Sequence, residues 1–476
     1  MNVDILICMK QELVIFGIVL LLLVLKIRQR EEEGTSFLHL MNCLLLVQFL
    51  TGLFFPTKGI LFGGMYETNT LLSTEKNILH FGVLLISLLS FEWLKTHHNR
   101  IEFYLLLLSS LLGMDFLISS RHLLLFYISL ELTTIPIAVL VNFNLKKREA
   151  SEAAFKLILS SAFSSGLMLL GISLLYGATG NLYMENLIQF SASGNVHSTL
   201  PLYYFSIVLL LAGFGFKLSI VPFHWWTADV YTGAPVPVTA FLSVISKTAV
   251  VMALIPFLYH SIADLQEIAY DIIIVLAIAT MIIGNLFAIR QENLKRLLAF
   301  SSISQIGFIL TGLSAFTTES FAATLYFLIV YMCSNLLVFG SILMISKDSG
   351  NELLINYKGL YKTHPHLSWC IAIGLFSLAG IPPAAGFFGK FFLLLAAAGK
   401  SNYWLLGVAV ASMVVALYYY LRVIRVLFMD EPAETFQPFK TPLSAKLALL
   451  ACLVVVGITG IGSGLYEYLY SLIILH

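Results

Sequence analysis

Four lysines stand where hydrocarbon is expected: Lys156 in EAAFKLILSS, Lys217 in GFGFKLSIVPFHWW, Lys247 in LSVISKTAVV and Lys390 in AGFFGKFF. A charged side chain at the centre of a bilayer costs at least ~2.5 kcal/mol, so the four together carry a penalty on the order of 10 kcal/mol. Packing alone gives no reason to keep them. Glu131, in LLLFYISLELTTIPIAVLV, is the obvious acidic companion. Burial makes an ammonium easier to deprotonate, and a neighbouring carboxylate restores its charge. A lysine balanced between the two can take up and release a proton near neutral pH, which an arginine, always charged, cannot. The chemistry these residues fit is a proton relay. Other readings stand beside it. Lys156, near a span end, is placed to snorkel to the interface; Lys217 and Lys247 fit structural ion pairs, and Glu131 a static counter-charge. His224, in VPFHWWTADVYTG, is a relay candidate or an ordinary loop histidine. Lys295 marks a cytoplasmic proton intake or belongs, with Arg296, to the basic loop residues.

The elements that must position these groups follow from composition. Of 476 residues, 59% are hydrophobic and 11% charged, with a mean hydropathy of +0.91. Soluble domains carry charge at about 25% of positions, so a water-soluble fold is excluded. The net charge of +1 leaves no basic excess for a nucleic acid. The five cysteines are scattered with no CxxC pair, which argues against a structural zinc, an iron–sulfur cluster or a disulfide framework. The remaining class is an all-α polytopic membrane protein. About 20 apolar residues cross a bilayer, and such runs lie near 8–25, 37–55, 77–94, 101–119, 122–143, 152–177, 201–222, 236–259, 270–289, 296–314, 320–346, 366–398, 402–421 and 446–470. Fourteen spans put both termini on one side. Eighteen lysines and arginines fall in one set of loops and five (Lys10, Lys58, Lys76, Arg121 and Lys400) in the other. The positive-inside rule makes the first set cytoplasmic and both termini external. The first run holds Lys10 and Glu12 and has no small-residue cleavage site, so it reads as a retained span.

Two spans carry Gly/Pro breaks beside a lysine. The seventh has Gly213, Gly215 and Pro222 around Lys217; the twelfth, LAGIPPAAGFFGKFF, has Gly380, Pro382, Pro383, Gly386 and Gly389 before Lys390. Interrupted spans in corresponding positions point to an inverted-repeat transporter. Spans 4–8 (97–262) and 9–13 (263–430) are each five long with the break fourth, framed by helices 1–3 (1–96) and helix 14 (431–476). The alternative is a pair of ordinary proline kinks. Pro136, five residues after Glu131, adds a third distortion. A broken helix exposes polar backbone ends that can hold water, and Thr133, Ser219, Ser243 and Ser246 are candidates to line a hydrated chain. No phosphate-binding glycine loop is present, and no metal-ligand spacing stands out. The chain has equipment for moving protons and none visible for driving them.

At three segments the likeness to a family becomes specific: GAPVPVTAFLSVISKTAVV (233–251), LKRLLAFSSISQIGF (294–308) and FSLAGIPPAAGFFGKF (376–391). They resemble signatures of the antiporter-like membrane subunits of respiratory complex I, the NADH–quinone oxidoreductase. Length, span count and the ELTTIPIAVLV and YKGLYKTHP segments are most similar to the N branch of that family, whose larger L and M branches carry extra C-terminal length. The resemblance covers about 100–430. It implies a proton channel in which the helix-5 glutamate is Glu131, the helix-6 lysine Lys156, the helix-7 lysine Lys217, the helix-8 lysine Lys247 and the helix-12 lysine Lys390. The glutamate–lysine pair would tune the intake lysine, and the later lysines pass the proton outward. It also implies a bacterial inner-membrane hetero-oligomer with other antiporter-like and small membrane subunits as partners. No cofactor is expected on this chain; NADH, FMN, iron–sulfur clusters and quinone belong to partner subunits. Many relatives have a histidine after SSIS, where this chain has Gln305, which does not titrate. Alternatives are a subunit of a multi-subunit cation/proton antiporter, of a hydrogenase or ferredoxin-linked complex, or a non-conducting scaffold.

Overall fold

Hydrocarbon offers no partner to a peptide group, so a spanning chain must satisfy its own backbone. The structure, a computed structural model, does so with a helix in every spanning element; between Gly34–Phe54 and Thr70–Lys95 the chain forms a short antiparallel strand pair, Gly59–Leu61 with Tyr66–Thr68. It describes residues 2–28, 34–187, 200–261, 266–349, 352–400, 402–431 and 439–474. Among them, twelve helices are long and apolar enough to cross a membrane, and two shorter apolar ones occupy Pro365–Ala379 and Ala385–Ala398. The expected runs at 366–398 and 446–470 are thus each two helices, the second pair being Leu443–Ile461 and Gly464–Ile474. The first run forms Lys10–Ile27. Arg30, the side chain of Lys347 and the junction at 262–263 lie outside the described residues.

The core is itself helical. Thr318–Ser349 is enclosed along its spanning length, and Leu294–Leu313 and Val236–Tyr259 nearly so. Close approach depends on small residues where side chains would otherwise hold helices apart. A Cβ on Gly284 would lie 2.6 Å from the Ser304 backbone nitrogen, which seats Gln266–Ile289 against Leu294–Leu313. Outside, Phe163, Trp404 and Val414 stand exposed on Arg148–Thr179 and Tyr403–Phe428. Apolar surface of that extent belongs against lipid or partner helices.

Two helices are interrupted, as the Gly/Pro clusters predict. Leu200–Leu218 ends at Ser219, whose φ is +63°, and the chain resumes as Trp225–Gly233. Trp226 Nε1 donates to the Phe216 carbonyl (3.1 Å), and the Val221 amide donates to Thr280 Oγ1 (3.1 Å), so the break has fixed partners. In the second interruption Gly380, at φ +85°, ends Pro365–Ala379, and the Gly380 and Ile381 amides both donate to the Phe376 carbonyl. Pro222 and Pro383 each follow a cis peptide bond. Pro136, by contrast, sits inside an uninterrupted helix, Leu123–Val141. A single π-helical turn, Phe241–Ser246, joins Val236–Ala240 to Lys247–Ser261.

Two loop lysines move inward. Lys76, counted with one loop set because the apolar run starts after it, is fully buried in Thr70–Lys95. The polar stretch STEKN is helical because Asn69 caps the helix, its side chain accepting from the Leu72 amide (2.8 Å). Lys295 is likewise buried in the first turn of Leu294–Leu313 rather than loose in a basic loop. Arg121, also assigned to a loop, is buried against Glu67 (2.7 Å).

Candidate functional site: a buried row of lysines

Lys217 occupies the last turn before the first break, where its ammonium reaches two neighbouring helices. Its Nζ donates to Thr134 Oγ1 (2.7 Å) and Ser161 Oγ (2.9 Å) and lies 3.8 Å from Glu131 Oε1. That same oxygen accepts from Ser165 Oγ. Glu131 therefore faces Lys217, not Lys156. Spacing could not have decided this, because ion pairing between helices is a tertiary property.

Lys156 is engaged elsewhere and is 40% exposed at its side chain. Its Nζ lies 2.7 Å from Asp229 Oδ2 and 2.8 Å from Glu152 Oε1. Asp229, on the short helix after the break, also lies 3.2 Å from Arg296. Sequence reading missed Asp229, although it stands in the HWWTAD stretch following the Lys217 break. His224 is buried at that break, stacked on Trp225 with ring centroids 4.9 Å apart, and its Nδ1 has no hydrogen-bond partner among the described residues.

Lys247 follows directly on the π-turn. Its Nζ donates to Ser302 Oγ (3.0 Å) and lies 5.7 Å from the centre of the Tyr231 ring. An unpaired ammonium in an apolar core gains from such a ring face. One turn beyond Ser302, Gln305 Nε2 donates to the Leu378 carbonyl (2.9 Å) and lies 3.3 Å from the Tyr420 hydroxyl. Lys390, fully buried, donates to that same Leu378 carbonyl (2.7 Å) and sits 4.5 Å from the centre of the Phe308 ring. Leu378 can accept both because the break lies just beyond it, freeing carbonyls of the last turn from intrahelical partners. Lys295 donates to the Ala234 carbonyl (3.0 Å) and lies 3.2 Å from Glu352.

The structure thus brings Glu131 to Lys217, Lys247 to Ser302, and Gln305 with Lys390 to the Leu378 carbonyl; it places Lys156 in a separate, half-exposed ion network. The hydroxyls in contact with the row are Thr134, Ser161, Ser165 and Ser302, not the expected set. Thr133 and Ser243 donate to backbone carbonyls of their own helices, Ser129 and Ala240, and Ser219 accepts from Thr227. Among the described residues no group of three or more His, Cys, Asp or Glu side chains could hold a metal ion.

Buried lysines held by hydroxyls and a free carbonyl beside two broken helices define a multi-span membrane protein of the antiporter-like class. Comparison with known proteins gives the family. Residues 120–416 match the family described as NADH:quinone oxidoreductase/Mrp antiporter, TM. The chain is 42% identical over 443 residues to NADH-quinone oxidoreductase subunit N of Phocaeicola vulgatus, covering 92% of this chain and 93% of that one. Among solved structures it is similar to a chain of respiratory complex I from Thermus thermophilus, with a TM-score of 0.79, 29% identity, and 95% and 97% of the two chains covered. It shares the fold of a chain of the Mrp complex from a Dietzia species, with a TM-score of 0.85, 20% identity, and 99% and 96% covered. The chain belongs to the NADH:quinone oxidoreductase/Mrp antiporter family of membrane subunits.

Proposed function

We propose that this chain is a proton-translocating membrane subunit of an NADH–quinone oxidoreductase, filling the N-type position. The observation that carries the reading is the set of ionisable groups buried beside the two breaks: Glu131 with Lys217, Lys247 on Ser302, and Lys390 on the Leu378 carbonyl. Protons enter the row at the Lys217 break, with Glu131 setting how readily Lys217 gives its proton up. Lys247 passes it by way of Ser302 and water to Lys390, whose helix break opens toward the opposite face. Gln305 orients the chain without titrating. Lys156, His224 and Lys295 act at the basic-loop side, where Asp229 and Glu352 hold the two lysines.

In this reading the two halves, 97–262 and 263–430, are inverted five-helix repeats that supply one break each. The basic loops face the cytoplasm and both termini lie outside the bacterial inner membrane. This chain holds no redox centre; NADH oxidation, FMN, iron–sulfur clusters and quinone reduction reside in partner subunits. Other antiporter-like and small membrane subunits pack beside it, and its exposed apolar flanks suit them. The likeness at 42% identity to a protein named subunit N favours this reading over a cation/proton antiporter subunit.

The test is proton translocation by the assembled complex in sealed vesicles, with quinone reduction followed in parallel. Lys217→Met and Lys247→Met are expected to assemble and to lose proton movement. Pumping at the unmodified level in both variants would remove the row from the mechanism.

A further inference from the structure

A second cluster of buried charge lies away from the lysine row, among Lys10–Ile27, Thr70–Lys95 and Arg100–Ser119. Lys76 Nζ lies 2.5 Å from Glu12 Oε1 and 3.1 Å from the Tyr66 hydroxyl, which itself donates to Glu12 (2.8 Å). One turn on, His80 Nε2 is 2.9 Å from Asp115 Oδ2, and His80 Nδ1 lies 3.5 Å from Gln48 Nε2. Glu75 is buried beside Lys76, and its charged neighbours are Arg121 and Lys76. Those of Asp115 are His80, Glu12 and Lys76.

Carboxyls outnumber their fixed partners here. Glu12, Glu75 and Asp115 face one lysine and one histidine, because Arg121 is paired with Glu67. Several buried oxygens have no hydrogen-bond partner among the described residues: Glu12 Oε2, Glu75 Oε2, Asp115 Oδ1, Ser73 Oγ and Ser119 Oγ. Buried polar atoms are almost always satisfied, and protonation of a carboxyl lowers the charge that these unpartnered oxygens would otherwise bury. Above it, the Glu67–Arg121 pair borders a polar cavity of about 330 Å³, also lined by Tyr183 and Glu185. Below it, the same helix packs on the π-turn before Lys247, since a Cβ on Gly82 would lie 2.2 Å from Ile245 Cδ1.

We propose that Glu75 and the His80–Asp115 pair form a proton-holding site, framed by Glu12, Tyr66 and Lys76, that exchanges with the aqueous phase through the Glu67–Arg121 cavity. The proposal rests on the reading of this chain as a proton conductor and adds to it a site outside the lysine row. A proton resides as the O–H of Glu75 or is shared between His80 and Asp115. Lys76, locked to Glu12 and Tyr66, supplies fixed charge.

Infrared difference spectra of the assembled complex, taken across a pH step in H₂O and D₂O, test this. The unmodified complex is expected to show an exchangeable carboxyl C=O band that Glu75→Gln removes and Asp115→Asn shifts. Proton-to-electron ratios in vesicles should fall in both variants while quinone reduction persists. If band and ratio match the unmodified complex in both variants, the proposal is overturned. Should neither variant assemble, Glu67→Gln decides: slower deuterium exchange of the band supports the site, and an unchanged rate overturns it. A complex in which Lys217→Met and Lys247→Met pump normally, yet Glu75→Gln loses the band, would sink the lysine row and leave this site standing.

Discussion

Gln305 and Lys390 converge on one acceptor, the carbonyl of Leu378, at 2.9 and 2.7 Å. Two donors from separate helices meet at the last turn before a break, so the amide and the ammonium are held as neighbours. Gln305 also stands one turn from Ser302, the partner of Lys247. In the proposed relay it stands between two buried lysines, and its side chain does not titrate.

A non-polar substitution there should interrupt the row without removing a charge. Gln305→Leu is expected to lower proton translocation while quinone reduction continues. Gln305→His is expected to keep translocation and make it more dependent on pH between 5 and 8, the range in which an ordinary imidazole titrates. Vesicle pumping assays across that range check both.

Glu131 and Lys217 should behave as a coupled pair. Breaking a fully buried ion pair by removing one member costs ~3–5 kcal/mol, because the other charge is left uncompensated; here the Glu131 side chain is 26% exposed, which lowers the cost. With Lys217 also held by Thr134 and Ser161, Glu131→Gln is expected at or below the lower end of that range. The double variant Glu131→Gln with Lys217→Met should lose less stability than the two single losses summed. Thermal unfolding of the purified complex measures all three.

Asp229 offers a cleaner separation of structure from function. It holds both Lys156 and Arg296, but the pairs are partly exposed, and such pairs contribute ~0–1 kcal/mol each. Asp229→Asn should therefore leave the melting temperature nearly unchanged. If Lys156 takes part in proton intake, pumping falls nonetheless; the paired readouts distinguish the two.

Gly386 should tolerate no side chain. A Cβ there would lie 1.7 Å from the Ser377 carbonyl oxygen, across the second break. Gly386→Ala is expected at or beyond the upper end of the ~1–3 kcal/mol that overpacking costs, with less assembled complex on native gels. Gly407→Ala, where nothing lies within 4 Å, is the neutral control.

Much of the row was legible in sequence because a cation in an apolar run is conspicuous: Lys217, Lys247 and Lys390 announce themselves, and glycine with proline marks both breaks. Partners were not legible. Glu131 is 86 residues from Lys217 along the chain, and only helix packing brings it, with Thr134 and Ser161, to the Lys217 ammonium. Lys76 was counted with the loops because its short polar stretch ends a hydropathy span, and Glu12, placed inside the first span, carried no sign of its partner; their pairing is again a matter of helix packing. Asp229 was hidden in a helix of nine residues, too short to register as part of a membrane element.

The π-turn at Phe241–Ser246 leaves Lys247 at the edge of a surplus residue in its helix. An α-helix turns by about 100° per residue. Were that surplus to migrate past Lys247, the side chain would swing by about that angle, from Ser302 toward another neighbour, while both helix ends stayed anchored.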